Sequence, residues 1–229
     1  MVQALDGSLT PVEQRVVGAL AEKEATVPDT YPMTLKGLQS ACNQKNSREP
    51  VTDLDEATIQ RTLDELKARN LVRFVYASHG ARTTKYRHVL HERLHLDPAE
   101  LALLTVLLLR GPQTVNELRT RSERAHAFEG NDEVVATLQG LAERAEPLVV
   151  LLPRQSGHKE PRWAHLLGGE VDVDALAAAT PSGAGETVPA ARAGLETRVA
   201  ELEDRVAVLE AALAELGLID THDREQPPS

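Results

Sequence analysis

The feature that most constrains this fold is a short pattern that occurs twice. "PMTLKGL" begins at Pro32, and "PQTVNEL" begins at Pro112. In both copies a threonine, Thr34 or Thr114, stands where its hydroxyl can accept from the free amides of a helix's first turn. A helix start repeated in this way predicts that one small fold is built twice.

Matching elements flank both copies. The stretches "TPVE" at Thr10 and "DPAE" at Asp97 each combine a capping residue, a proline and a glutamate, the signature of a helix start. Further along, apolar residues at i, i+4 and i+7 predict a third helix in each copy. These positions are Ile59, Leu63 and Leu66 with Arg69 following, and Val134, Leu138 and Leu141 with Arg144 following. β-Branched and aromatic residues on both sides of Gly80 and Gly157 then predict a β-hairpin in each copy.

Three helices and a hairpin, twice over, predict a mainly α protein with small β-hairpins (α+β) and two tandem winged-helix (helix-turn-helix) domains. We place the first domain at residues 9–95 and the second at residues 96–169. Residues 170–194 are rich in Ala, Gly, Pro and acid, which is typical of a flexible linker. A short coiled-coil helix is predicted over 195–217, and 218–229 has the composition of a disordered tail.

The coiled-coil prediction rests on a 4-3 apolar alternation after the linker. Its members are Leu195, Val199, Leu202, Val206, Leu209, Leu213 and Leu216. Valine at two a positions with leucine at d favours a parallel two-stranded coil, and Arg198 at g faces Glu203 at the following e of the partner. The pattern therefore predicts a homodimer. The alternative is an amphipathic helix that lies on the protein's own surface.

The distribution of charge separates the tail from the body. The net charge is −10, but residues 1–95 hold 13 Lys+Arg against 12 Asp+Glu, and residues 170–229 hold 4 against 13. From Lys67 to Arg93 there are seven basic residues and one acid, Glu92. The whole-chain charge therefore does not exclude nucleic acid as a partner of the first repeat.

The stretch "YPMTLKGLQSACNQKNSREPV", from Tyr31 to Val51, resembles the signature of the YceH-like family of uncharacterised bacterial proteins. The resemblance continues through "TKY" at Thr84, "LLLRGPQT" at Leu107, "ELRTR" at Glu117 and "HLLGGEV" at His165. It covers most of residues 9–171 and implies two winged-helix units. The family has no established biochemical activity, so the resemblance implies no catalytic residues.

The candidate interface with double-stranded DNA lies in the first repeat, where a third helix can enter the major groove and a hairpin can hold phosphates. Its residues are Lys45, Arg48, Gln60, Arg61, Lys67, Arg73, Arg82, Lys85 and Arg87. Asp64 and Glu65 on the same helix oppose this interpretation. The alternatives are a solvated surface of ordinary charge and a protein-interaction adaptor. Asn43, Gln44 and Asn46 are expected to hydrogen-bond their own loop.

Other functional classes have little support in the sequence. Neither a phosphate-binding glycine loop nor a catalytic motif is present, so we expect no enzyme activity and no cofactor. His88, His91 and His95 have a spacing that could suit a metal, but we interpret them as a solvated linker. The single cysteine, Cys42, excludes an intrachain disulfide and is expected in the core. The N-terminal residues and the short apolar runs predict a cytoplasmic protein without a membrane span.

Overall fold

The computed structural model describes residues 7–76, 83–154, 160–169 and 171. The first repeat runs α1 (Pro11–Thr26), a 3-10 turn (Pro28–Thr30), β1 (Met33–Thr34), α2 (Leu35–Cys42), α3 (Glu56–Ala68), β2 (Val72–Val75) and β3 (Lys85–His88). A short helix, α4 (Leu90–Leu94), leads to the second repeat. There the elements are α5 (Pro98–Arg110), α6 (Val115–Ser122), α7 (Asn131–Ala142), β4 (Val149–Leu151) and β5 (Trp163–His165). The predicted α+β class is confirmed.

The helix starts that the sequence predicts are confirmed by their hydrogen bonds. The Thr10 hydroxyl accepts from the Glu13 amide (3.2 Å), and the Glu13 carboxylate accepts from the Thr10 amide (2.7 Å). Asp97 and Glu100 make the same reciprocal pair at the start of α5. Thr34 and Thr114 cap α2 and α6. Because the caps satisfy amides that would otherwise lack partners, they hold the helix starts of both repeats in place.

The two sheets follow one plan. In the first repeat, the strand order is β1-β3-β2 and all pairs are antiparallel, with Met33 opposite Tyr86. In the second, β4 pairs with β5, and an isolated bridge joins Gln113 to Trp163. Gln113 and Met33 each immediately precede a capping threonine. The residue before each capping threonine is therefore paired with the second strand of its hairpin, β3 or β5.

The repeats share one apolar core, in which α1 packs against α5. A Cβ added at Gly18 would lie 3.0 Å from Leu109 Cδ2 and 3.1 Å from Leu108 Cβ, so a glycine permits this close approach. Backbone hydrogen bonds tie the repeats at two further points: Leu9 N–H donates to Leu167 O (2.7 Å), and Glu49 N–H donates to Leu109 O (2.8 Å). All of the described residues belong to one compact unit, Met1–Ala179.

Several predictions lie outside the described residues. They are the coiled coil at 195–217, the tail at 218–229, nearly all of the linker at 170–194, the hairpin turns at Gly80 and Gly157, and the candidate DNA contact Arg82. The boundary between domains at residues 95 and 96 stays a prediction. Within the described part of the chain, none of the helices has the length and apolar character needed to cross a membrane.

Candidate nucleic-acid interface and the histidine cluster

The third helix of the first repeat is fastened to its hairpin by two side-chain contacts. The Tyr86 hydroxyl donates to Gln60 Oε1 (2.9 Å), which joins β3 to α3. Lys67 Nζ lies 4.4 Å from the centre of the Phe74 ring, and that ring packs edge-on against Tyr86. A cation over an aromatic face is stabilised by the ring's quadrupole. These contacts join helix α3 to both strands, β2 and β3.

The structure sorts the predicted basic residues into unpaired and paired groups. Lys45, Arg61 and Lys67 are exposed, and Lys85 is half-buried. None of these four forms an ion pair with a carboxylate of the described residues. Their charge is available to an outside partner.

Arg73 and Arg87 form the paired group on the hairpin. They are opposite each other in the register of β2 and β3, so their side chains share the face of the sheet that is turned away from the core. Both contact the Glu92 carboxylate at 2.9 Å. The bond from Arg87 is the largest influence on Glu92 and holds the pKa of that carboxyl below its usual range. Glu92 thus offsets part of the positive charge of this face.

Arg48 lies inside the protein. Its side chain is 0% exposed and contacts Glu22, whose side chain is 20% exposed, at 2.6 Å. The guanidinium also donates to the backbone oxygens of Ala41 (3.0 Å) and Ser47 (2.8 Å). Burial acts to raise the pKa of Glu22, but the hydrogen bond and charge of Arg48 outweigh it and lower that pKa. In this conformation Arg48 stabilises the loop between α2 and α3 and presents no charge to a phosphate.

The same loop is closed by further internal hydrogen bonds. The Asn43 side chain donates to Leu54 O and accepts from Leu54 N, both at 2.8 Å. Arg15 of α1 donates to Cys42 O (3.1 Å) and Pro50 O (2.6 Å). The prediction that Asn43 binds its own loop is confirmed. The amide-rich loop between α2 and α3, which is part of the stretch that resembles the family signature, is therefore held largely by contacts within the protein.

The second repeat offers much less positive charge at the equivalent helix. The sequence of α7, "NDEVVATLQGLA", contains two acidic residues and no Lys or Arg. By comparison, α3 carries three acidic and two basic residues, including the exposed Arg61 and Lys67. Asp64 and Glu65 are also exposed on α3. A positive surface does not extend over both third helices.

The expectation that His88, His91 and His95 form a solvated linker is wrong for His88. Its side chain is fully buried, and its Nε2 lies 2.6 Å from the Glu24 carboxylate of α1. Donor atoms of Glu24, His88 and His91 lie within 4.8 Å of one another, so the three residues form a candidate metal cluster. The sequence contained no signal for this contact, because Glu24 is 64 positions away from His88.

A hydrogen bond argues against a metal at His88. The Leu90 N–H donates to His88 Nδ1 (3.2 Å), so the ring proton is on Nε2 and points to Glu24. A metal-bound histidine normally donates its other ring N–H to an acceptor. Here that other nitrogen faces a donor. The donor set therefore fits a hydrogen-bonded histidine–carboxylate pair better than a metal centre.

Cys42 is buried in the core, as predicted. Burial raises the pKa of its thiol to about 12. Because the thiolate is the reactive form, this cysteine is unsuited to act as a nucleophile.

Comparison with known proteins identifies relatives along most of the chain. Residues 9–158 match the family described as "Protein of unknown function, DUF480". A UPF0502 protein of Stenotrophomonas maltophilia is 50% identical over 91% of this chain and 94% of its own length. A UPF0502 protein of Geobacter sulfurreducens is 50% identical over 88% of this chain and 90% of its own length. The predicted similarity to a family of uncharacterised bacterial proteins is confirmed.

Proposed function

Since the chain belongs to the DUF480 family of proteins of unknown function, we propose its role from its geometry: a non-enzymatic protein with two winged-helix repeats that binds double-stranded DNA through the first. The repeated order of three helices and a hairpin supports the winged-helix assignment. So does the pairing of a residue before each second helix with the return strand. In such folds the third helix enters the major groove and flanking groups contact the backbone.

The observation that carries the proposal is the pair of contacts that joins α3 to the strands β2 and β3. The Tyr86–Gln60 bond and the Lys67–Phe74 contact hold the helix and hairpin in one arrangement. Groups that are already ordered lose less conformational entropy when they bind a duplex. Arg61 and Lys67 on α3 and Lys85 on β3 are then the phosphate contacts. Because α3 also carries three acids, we expect weak and strongly salt-dependent binding.

The experiment compares two triple variants that remove the same charge. Arg61→Ala, Lys67→Ala and Lys85→Ala together should lower affinity for a labelled duplex. They should also reduce the slope of log affinity against log salt by about 0.9 for each phosphate that is no longer neutralised. The control combines Arg121→Ala, Arg124→Ala and Arg154→Ala, three exposed residues of the second repeat. Fluorescence anisotropy at increasing salt measures both slopes.

The outcome of this comparison separates three cases. A reduced slope in the first variant alone supports the proposed interface. Equal reductions in both variants would mean that the protein attracts DNA by diffuse charge, without an interface on the first repeat. A wild-type protein that does not bind pooled genomic fragments at low salt would refute DNA binding altogether.

We further propose that the segment 195–217 forms a parallel homodimer, which would bring two DNA-binding bodies together. Linked sites gain affinity because the second contact forms at a high effective concentration. Leu202→Glu with Leu209→Glu should abolish dimers in light scattering and weaken binding to duplexes long enough for two bodies. Binding to short duplexes should not change. A wild-type chain that is monomeric at high micromolar concentration would contradict the dimer.

A protein-interaction adaptor is the second candidate, and one observation favours it. At the end of β2, Val75 is exposed and Tyr76 is 67% exposed, and the outer edge of β2 has no paired strand among the described residues. Such an edge can accept an extended peptide as an additional strand. Failure of the wild-type protein to bind DNA would make this candidate the leading one.

A further inference from the structure

A cavity of about 420 Å³ opens where the two repeats meet. Its wall is mostly apolar and comes from α1, α4 and α5, from the segment that joins α4 to α5, and from the loop after α6. The apolar members are Ala21, Ala25, Leu96, Pro98, Leu101, Ala102 and Ala125. Cavities of this size and character are typical of sites for small organic molecules.

The polar side chains of the wall are Glu24, His91, Asp97 and Thr105. Lys and Arg are absent from the described residues that line the cavity. The Asp97 carboxylate accepts from the Glu100 amide (2.8 Å) as the cap of α5, and it adds a second negative charge to the wall. The charge of the lining is therefore complementary to a cation.

The Glu24 carboxylate is held in place by a hydrogen bond from a buried histidine. The buried His88 donates to its carboxylate (2.6 Å), and the Leu90 amide fixes the His88 ring by donating to Nδ1 (3.2 Å). Burial acts to raise the pKa of Glu24, but its interactions with His88, His91 and Arg87 outweigh it and lower that pKa. The wall thus carries an oriented, ionised carboxylate.

His91 supplies a second and independent observation. Its Nδ1 is buried and has no hydrogen-bond partner among the described residues. A buried polar atom without a partner is costly, and such atoms in native proteins usually have a reason, such as a ligand or an ordered water. His91 also lines the cavity, and donor atoms of Glu24, His88 and His91 lie within 4.8 Å of one another, so the His91 ring lies beside the Glu24 carboxylate.

We propose that this cavity binds a small organic cation: a protonated amine on an apolar body, with its ammonium group on the Glu24 carboxylate, beside the His91 ring. The apolar wall of α1 and α5 receives the body of the ligand. This site is independent of the proposed DNA interface, because it uses none of Arg61, Lys67 or Lys85.

The test uses three probes that share a body and differ in charge: 4-phenylbutylamine, 4-phenylbutanol and 4-phenylbutyrate. With the full-length protein near neutral pH, the amine should bind saturably in ligand-observed NMR. It should also shift the backbone amides of Ala25, Leu101 and Ala102. The alcohol should bind about tenfold more weakly, because it lacks a charge-assisted hydrogen bond, and the carboxylate should bind least.

Three variants test whether Glu24 causes the preference for the amine. Glu24→Gln should weaken amine binding about tenfold and leave alcohol binding unchanged, which also shows that the cavity is intact. Ala25→Phe should fill the mouth of the cavity and abolish binding of all three probes. Glu56→Gln removes the same charge from an exposed position on α3 that does not line the cavity, and it should have no effect.

Four results would overturn the proposal. Equal affinity for the amine and the alcohol would refute the role of charge, and so would a Glu24→Gln variant with unchanged affinity for the amine. Absence of saturable binding by all three probes would refute the site. Tight binding of Zn²⁺ that His91→Ala abolishes would assign the cluster to a metal.

Discussion

The two repeats share the same order of helices and strands, but they differ in the residues buried beside the loop between the second and third helices. In the first, the segment between the second and third helices, residues 43–55, is organised around buried charge: Arg15 and Arg48 are both buried there. In the second, the shorter segment at residues 123–130 is closed by the buried ring of Phe128. The buried polar residues of the second repeat, within the described part of the chain, are the uncharged Thr105, Gln113 and Ser122.

The frame that the repeats share includes one ion pair. Glu13 of α1 contacts Arg69 after α3 (2.8 Å), and Glu100 of α5 contacts Arg144 after α7 (2.7 Å). In each repeat this bond ties the start of the first helix to the end of the third. The comparison shows that helix caps and closing ion pairs define the repeated fold. The interior of the loop can be polar or apolar, provided that its buried groups are satisfied.

The largest expected effect concerns the polar loop of the first repeat. Arg48→Ala should lower the free energy of unfolding by about 3 kcal/mol, because Glu22 and two backbone oxygens lose their buried donor. The matched control is Arg124→Ala, an exposed arginine in the second repeat's loop, which should change stability by less than about 0.5 kcal/mol. Urea unfolding near neutral pH measures both. Similar small losses in the two variants would contradict the contrast between the loops.

A pair of helical glycines tests the contact between the repeats. Gly18→Ala should destabilise the protein by about 1–2 kcal/mol, because the new methyl group meets Leu108 and Leu109 at the junction of α1 and α5. Gly140→Ala on α7 has open space around it and should stabilise by about 0.5–1 kcal/mol through helix propensity. Thermal melts of the two variants should shift in opposite directions. A stabilising Gly18→Ala would show that α1 and α5 can separate at low cost.

A further test uses pH to compare the two repeats. Burial lowers the pKa of His165 on β5 to about 4. The His165 ring therefore stays neutral in the folded protein, while in the unfolded chain it binds a proton below about pH 6.5. Stability should therefore fall by about 1–2 kcal/mol between about pH 7 and pH 5, and His165→Asn should remove most of that fall. Urea unfolding at a series of pH values measures it.

The first repeat should respond to acid in a different range. In Glu13, burial acts to raise the pKa, but hydrogen bonds from Thr10 and Arg69 outweigh it and lower that pKa, and the net shift of Glu22 is also downward. Stability that depends on these carboxylates is present above the ordinary glutamate pKa and is lost only below about pH 4.5. A wild-type profile that is flat down to that pH would contradict the role of His165.

The sequence by itself determined the elements that depend on neighbouring residues. The caps at Thr10, Thr34, Asp97 and Thr114 and the apolar faces of the third helices were all predictable. The reason is that a cap or a helix face is set by residues within one or two turns of each other. The equivalence of Arg69 and Arg144 was also visible as a pattern, although their ion pairs were not.

Only the tertiary structure decided which distant residues meet. Arg48 became an internal residue because α1 brings Glu22 to it across 26 positions, and His88 is buried because the same helix presents Glu24. The strand β1 exists only through its pairing with β3, since two residues carry no local strand signal. Such contacts depend on how helices and strands pack in three dimensions. The periodicity of a sequence indicates which face of an element is buried. It does not identify the charged residue that contacts that face.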